Sequence, residues 1–152
     1  MAKLESISGK FFFNLTADVG KNSPNRLDDV ELVRYGYFCL SRRPDVQAQI
    51  SPELRVAFTN MKSFGPYGPD LQAVIDLHQQ ARGKDSTIDG KVSVGKPQVT
   101  HSSRYNDKLS WIIFVLCRAM IDHVPDTYPR IDIEIESGNE IAKTVADLFT
   151  VN

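Results

Sequence analysis

The sequence predicts a single α+β domain that is mainly α, with four or five helices and a small terminal β-sheet. Apolar residues recur at steps of three and four along several separate stretches, which is the period of an amphipathic helix. Two further stretches, 10–17 and 130–136, have the composition or the alternation of β-strands and lie near opposite ends of the chain. Because 152 residues suffice for one core without disulfides, we expect one domain over residues 1–152.

The first predicted helix covers residues 27–41. Asn25 is a candidate N-cap, and acidic residues in the first turn suit the positive end of the helix dipole. Pro44 ends the helix, because proline lacks the backbone N–H that the next turn requires. The expected inward stripe consists of Val30, Val33, Tyr37 and Leu40.

A short second helix is expected from Pro52 to about Lys62. Ser51 followed by proline is a typical helix start, with serine as N-cap and proline in the first turn. The pattern from 45 to 50 is weak, and residues 64–69 have the composition of a loop.

The stretch from Asp70 to Gly95 carries the clearest helix and turn signals. A helix is predicted to begin at Pro69-Asp70 and to end at Gly83. At Asp89-Gly90 the chain is expected to reverse, because aspartate bonds to backbone two residues on and glycine accepts a positive φ. The predicted apolar stripe of the helix is Leu71, Val74, Leu77, His78 and Ala81.

The most apolar stretch, 107–123, is predicted to be the core helix. Apolar side chains, Trp111 among them, surround nearly its whole circumference, which indicates burial on most sides. Residues 130–136 alternate isoleucine with acidic residues and predict a half-buried strand, and residues 140–149 predict a last helix. Whether strand 130–136 pairs with strand 10–17 is left open.

Part of the chain resembles the small helical peptidoglycan-binding domain. Ala73-Val74-x-x-Leu77-His78, a spacer and Asp89-Gly90-x-Val92 are similar to its second helix and following loop, Ala-Val-x-x-Phe-Gln and Val-Asp-Gly-x-Val-Gly. Val30-x-x-Val33-Arg34-x-x-Tyr37 resembles its first helix, Val-x-x-Leu-Gln-x-x-Leu. The preceding Val19-Gly20, Asn25-Arg26 and Asp29 are similar to versions attached to bacterial secretion and phage-tail-like proteins.

The resemblance covers residues 19–95, and the chain departs from the family pattern inside that part. Leu77 stands for phenylalanine, and His78 and Arg34 stand for glutamine. A long insertion, 43–69, separates the two helices, and no third helix follows Gly95 directly. Residues 96–152 therefore form an extension with the core helix, a strand and a C-terminal helix.

Composition excludes several function classes. The net charge of −1 with scattered basic residues gives no electrostatic footprint for nucleic acid, and Arg42-Arg43 is the only adjacent basic pair. No apolar run is long enough for membrane insertion. The N-terminus lacks the apolar region of a signal peptide, so we expect synthesis in the cytoplasm and any export to use a leaderless route.

No residue set predicts an enzyme. His101, Ser102 and Ser103 share a loop, but nothing supplies the sharp elbow and orienting group that a nucleophile needs. Cys39 and Cys117 lie late in apolar helices and are expected to be buried thiols rather than a disulfide. The acidic residues of 130–136 are typical of a solvent-facing strand, and no metal or cofactor site is predicted.

The candidate ligand-binding residues are mostly aromatic. Such side chains combine apolar area with a hydrogen-bonding tip, which glycan grooves and protein interfaces both use, although packing on the core is the competing interpretation. Tyr35 is expected to be exposed, because it points away from the stripe of its helix. The candidates are Tyr35, Phe64, Tyr67, His78, Asp89 and Gly90.

The resemblance implies a non-enzymatic bacterial binding module that recognises cell-wall peptidoglycan, in an envelope or type VI-secretion-like context. The alternative is a protein–protein adaptor, immunity protein or accessory protein of a secretion system that kept the scaffold and lost the sugar site. A small cell-wall hydrolase is the third hypothesis, without a catalytic set to support it. The ligand and the oligomeric state are left open.

Overall fold

A computed structural model describes residues 3–7, 10–83, 88–95, 111–126 and 128 of the chain. Five helices and two small antiparallel sheets occur in these ranges, which confirms the predicted mainly α, α+β class. The strands are β1 (Lys3–Ile7), β2 (Lys10–Asn14), β3 (Val19–Gly20) and β4 (Lys91–Val92). The helices are α1 (Leu27–Ser41), α2 (Pro44–Gln49), α3 (Pro52–Asn60), α4 (Pro69–Arg82) and α5 (Ile112–His123).

The larger sheet is an N-terminal hairpin. β2 pairs with β1 in antiparallel register, with Leu4 opposite Phe13, and ends at Asn14 rather than at Ala17. The sequence analysis missed β1, because Leu4 and Ile7 are three residues apart and give no two-residue alternation. The predicted strand 130–136 and helix 140–149 lie outside the described residues and stay predictions.

The smaller sheet joins the two ends of the part that resembles the family. β3 pairs with β4 antiparallel, with Val19 opposite Val92 and Gly20 opposite Lys91. A side chain on Gly20 would meet the carbonyl oxygen of Gly90 at 2.2 Å, so only glycine allows this approach. Strand β3 is thereby held against the Asp89-Gly90 turn.

Helix α1 has the predicted bounds but is buried on nearly every side, so the predicted apolar stripe includes only part of its buried surface. The predicted Asn25 cap is wrong. Arg26 occupies the N-cap without a side-chain bond, and the Asn25 amide instead bonds the backbone N–H and carbonyl of Gly20, at 2.7 and 2.9 Å. Asn25 adopts a φ of +50°, which asparagine tolerates better than most residues.

Helices α2 and α3 fill the insertion. Pro44 ends α1 as predicted, but it also opens α2, which the weak pattern of this stretch did not predict. Ser51 caps α3 by accepting a hydrogen bond from the backbone N–H of Leu54, as predicted. The helix ends at Asn60, two residues before the expected position.

Helix α4 begins at Pro69 and is ended by Gly83, both as predicted, and Gly83 has a φ of +57°. Its buried face differs from the prediction, because α4 packs against α3 on one side and against β3 and β4 on another. Ala81 is exposed and Leu77 is half-buried. The buried residues are Leu71, Val74, Ile75, His78 and Gln79.

Helix α5 is the core helix, as predicted, but it begins at Ile112 rather than at residue 107, because Trp111 is its N-cap. It packs along α1, where Gly36 permits close approach: a Cβ on that residue would lie 2.6 Å from the Cβ of Leu116. Trp111 is 40% exposed at the N-cap, so its predicted burial is wrong. Cys39 and Cys117 are buried free thiols, which confirms that prediction. No helix in the described ranges is both long and apolar enough to cross a bilayer.

Candidate functional site

An open groove of about 1340 Å³ lies between the C-terminal half of α1, helices α2 and α3, and the loop 61–68. The cationic and aromatic side chains among its lining residues are Arg34, Phe38, Arg42, Arg55, Phe58, Lys62, Phe64 and Tyr67. The amides Gln47 and Asn60 also contribute, and Asp70 is its only acidic residue. The lining combines aromatic faces, amides and cations, each of which can contact a ligand.

Helix α1 supplies one wall through residues spaced four apart. Arg34, Phe38 and Arg42 therefore lie above one another on one face of the helix. The guanidinium of Arg42 lies over the ring of Phe38, 4.9 Å from its centroid, in a cation–π contact. The ring of His123, at the end of α5, is perpendicular to the ring of Phe38, and the two ring centroids are 5.7 Å apart.

An ion pair between the buried side chain of Arg34 and the partly buried side chain of Asp70 lines the groove. Arg34 binds both carboxylate oxygens of Asp70, at 2.8 and 3.0 Å, and also donates to the carbonyl oxygens of Lys62 and Pro66. The hydrogen bond from Arg34 is the main reason that the pKa of Asp70 lies well below its usual range. Asp70 also accepts from the backbone N–H of Lys62, so one pair of side chains ties α1 and α4 to the loop.

Two more contacts anchor the same loop. The buried carboxylate of Glu31 accepts a hydrogen bond of 3.2 Å from the backbone N–H of Gly65. The hydroxyl of Tyr67 donates to the side-chain oxygen of Gln72 on α4. Phe64 lies between Lys62, which Arg34 and Asp70 bind, and Gly65, and it is 46% exposed and lines the groove. The loop therefore presents an aromatic side chain on a backbone that is held from both sides.

The groove has a positive charge that its own residues do not neutralise. Arg42, Arg55 and Lys62 are exposed, and no ion pair of theirs occurs among the described residues. The one lining acid, Asp70, is already engaged by Arg34. The groove is thus cationic although the whole chain carries a net charge of −1.

The Asp89-Gly90 turn has the predicted conformation, but its polar groups are largely used within the protein. The Asp89 carboxylate accepts from the backbone N–H of Lys91, and Gly90 has a φ of +73°. The buried amide of Gln79 accepts from the Gly90 N–H at 2.8 Å and donates to Asp89 and to the Lys91 carbonyl. The Gln72 amide donates to the Gly90 carbonyl at 3.0 Å. Two glutamines of α4 therefore clamp this turn.

His78 and Tyr37 form a buried pair between α4 and α1. The Tyr37 hydroxyl and Nδ1 of His78 are 2.9 Å apart and share a hydrogen bond. Burial, assisted by the charge of Arg82, lowers the pKa of His78 to about 4, so the imidazole is neutral at pH 7. Burial also raises the pKa of Tyr37 far above its usual value.

The groove brings together two of the predicted site residues, Phe64 and Tyr67. The expected exposure of Tyr35 is wrong: the residue is 1% exposed, because α1 is covered on nearly all sides. His78 is buried, and Asp89 and Gly90 form the clamped turn away from the groove lining. The sequence analysis missed the cationic wall, although the four-residue spacing of Arg34, Phe38 and Arg42 was a usable signal.

The described residues contain no group of three or more His, Cys, Asp or Glu that could hold a metal ion. Cys117 donates to the carbonyl oxygen of Phe13, and burial raises the pKa of its thiol to about 12, which leaves it protonated. His101, Ser102 and Ser103 lie outside the described residues.

The chain was compared with protein-family models, with curated proteins and with solved structures. None of the three comparisons found a match.

Proposed function

We propose that this protein is a non-enzymatic bacterial binding module that recognises cell-wall peptidoglycan through the groove beside α1. The observation that carries the proposal is the groove itself, an open cleft of about 1340 Å³ with aromatic, amide and cationic side chains on its walls. Ring faces stack on sugars, amides pair with N-acetyl groups, and cations pair with carboxylates. All three kinds of group occur in peptidoglycan.

The arrangement of α1, α4 and the Asp89-Gly90 turn supports the resemblance on which the proposal rests. The two helices are joined by the Arg34–Asp70 ion pair and by the Tyr37–His78 hydrogen bond. The turn that follows α4 is held against that helix by Gln79. The stretches that resemble the family therefore form one connected unit, with the insertion 43–69 folded as a separate wall beside it.

The position of Gln79 supports a shift of the family comparison by one residue. In the shifted register, Val74-Ile75-x-x-His78-Gln79 corresponds to Ala-Val-x-x-Phe-Gln. The pattern's glutamine is then present, and its amide makes three hydrogen bonds to the turn, whereas His78 points to Tyr37. His78 then stands for phenylalanine, and Val74 and Ile75 stand for alanine and valine, so the shift gains the glutamine and loses the two matches that Ala73 and Val74 made in the first register.

The proposal is tested by co-sedimentation of the purified protein with insoluble peptidoglycan, at low and at high salt. We expect the wild-type protein to pellet with the wall material and Phe64→Ala to pellet at least fivefold less, because Phe64 is the exposed aromatic of the groove. Val56→Ala is the matched control, since Val56 is 58% exposed on α3 and does not line the groove. A wild-type protein that stays in the supernatant would overturn the proposal.

The adaptor function remains the second candidate, and the rigidly anchored Phe64 is the observation that favours it. An exposed aromatic on a fixed loop is also what a protein interface uses as an anchor. In that case the protein pulls down a stoichiometric partner of an envelope or type VI-secretion-like system and does not pellet with peptidoglycan. Phe64→Ala would then weaken the protein complex while Val56→Ala would not.

A further inference from the structure

We propose that the groove binds the peptide part of its ligand, as an extended acidic peptide whose carboxylates pair with Arg42, Arg55 and Lys62. This inference deepens the proposed function and rests on it, because it assigns the groove to one chemical component of the cell wall. The glycan strand of peptidoglycan is uncharged where its lactyl groups are amide-linked to peptide. The stem peptides carry the free carboxylates.

The first argument is the location of the charge. Arg42 follows α1, Arg55 lies on α3, and Lys62 begins the loop, so three separate segments each contribute one cation. All three are exposed, and the described residues offer them no ion pair. Like charges brought together on a surface repel one another, so their convergence favours an anionic occupant. A neutral glycan can accept hydrogen bonds from these groups but forms no ion pair with them.

The second argument is the way in which the two guanidinium groups are held. Arg55 donates one hydrogen bond of 2.7 Å to the carbonyl oxygen of Gln47, and the guanidinium carbon of Arg42 lies over the ring of Phe38, 4.9 Å from its centroid. A guanidinium has five N–H donors in a fixed fork, so a single bond leaves donors for a carboxylate. Because each group is already held on one side, less side-chain entropy is lost when it binds.

The third argument is the shape and the apolar part of the groove. Its volume of about 1340 Å³ is larger than one small molecule needs, and its open shape suits an extended chain. Phe58 and Phe64 contribute apolar surface near the cations. A peptide that alternates carboxylates with methyl-bearing side chains matches both kinds of surface, which a single sugar ring does not.

Isothermal titration calorimetry with three defined probes tests the inference. The probes are a soluble stem tetrapeptide with free carboxylates, the same peptide with its carboxylates amidated, and an N-acetylglucosamine oligosaccharide without peptide. We expect the free-acid peptide to bind, the amidated peptide to bind at least tenfold more weakly, and the oligosaccharide to give no heat. Binding of the free acid is expected to weaken as salt rises, because its charge pairs are exposed.

Variants locate the site. Arg42→Gln combined with Arg55→Gln is expected to weaken binding of the free-acid peptide at least tenfold. Arg26→Gln removes one exposed charge outside the groove and is expected to bind as wild type. Thermal unfolding of both variants must match the wild type, and a double variant that binds the peptide unchanged would overturn the inference.

The outcomes separate the inference from the proposed function. If the protein pellets with peptidoglycan but binds the oligosaccharide and neither peptide, the groove assignment is wrong and the wall-binding function stands. Equal affinity for the free and amidated peptides also overturns the carboxylate pairing. If the protein does not pellet with peptidoglycan at all, the proposed function itself fails.

Discussion

Arg34 and Asp70 form a two-pronged ion pair, with N–O distances of 2.8 and 3.0 Å, between the middle of α1 and the first turn of α4. The same guanidinium donates hydrogen bonds to two carbonyl oxygens of the loop 61–68, so Arg34 connects this loop to the ion pair. Both residues line the groove. Their hydrogen bonds hold the backbone of the loop 61–68, which carries the exposed Phe64. The stability of the fold and the shape of the candidate site therefore depend on the same contact.

Arg34→Ala is expected to destabilise the protein by about 2–4 kcal/mol, because it leaves a partly buried carboxylate and two carbonyl oxygens without their donor. Denaturant unfolding followed by fluorescence of Trp111, the only tryptophan, measures the change. The matched control is Arg43→Ala, whose ion pairs with Asp45 and Asp122 are largely exposed. We expect the control to cost less than about 1 kcal/mol. Equal losses for both variants would contradict the role given to Arg34.

Gln79→Glu is expected to destabilise the protein by about 2–3 kcal/mol, because the variant loses two donated hydrogen bonds and places a carboxylate beside Asp89. The new carboxylate can still accept from the Gly90 N–H, but the two lost bonds to Asp89 and Lys91 loosen the turn, so amide hydrogen exchange over residues 89–91 should accelerate in the same variant.

Gln80→Glu provides the control for the clamp. Gln80 is the next residue of α4 and is exposed, so the same chemical change is expected to alter the free energy of unfolding by less than about 0.5 kcal/mol. If Gln79→Glu were as harmless as Gln80→Glu, the turn would be stabilised by other contacts, and the shifted register would lose its support.

Local signals in the sequence were sufficient for the elements that depend on near neighbours. The Ser51-Pro52 start, the end of α1 before Pro44, the Gly83 end of α4 and the Asp89-Gly90 turn each follow from caps, proline or turn chemistry within a few residues. These features need no knowledge of the rest of the chain, and the structure has them where they were predicted.

The misses depend on tertiary packing. Tyr35 was expected to be exposed because it points away from the apolar stripe of α1. The helix is, however, covered by α5 and by other elements on nearly all sides. Asn25 resembled a cap, but its amide pairs with Gly20, which β4 holds in place. The groove arises from four segments that are brought together only in the fold, so its cations were scattered in the sequence.

His78 predicts a defined pH dependence of stability. Its pKa is about 4 in the folded protein, against 6.5 for an ordinary histidine, so the unfolded state binds more protons between these two values. The free energy of unfolding should therefore fall as pH decreases from about 6.5 to about 4, by up to about 3 kcal/mol. Above pH 6.5 this contribution should be constant.

His78→Gln isolates that contribution, because glutamine keeps a hydrogen-bonding group near Tyr37 and does not titrate. The difference in unfolding free energy between wild type and variant should shrink as pH falls through this window. Asp70 does not interfere, since its pKa is depressed and its stabilisation is lost only below its unfolded value of 3.8. A wild-type-to-variant difference that is the same at pH 7 and pH 4.5 would contradict a buried neutral His78.

Gly36→Ala tests the packing of α1 on α5. Alanine is the better helix former by about 1 kcal/mol, so in an exposed helix this change would stabilise the protein. Here the added Cβ would lie 2.6 Å from the Cβ of Leu116, and the two helices must separate to admit it. We expect a net loss of about 1–3 kcal/mol in denaturant unfolding. A gain in stability would mean that α1 and α5 are less closely packed than the distance requires.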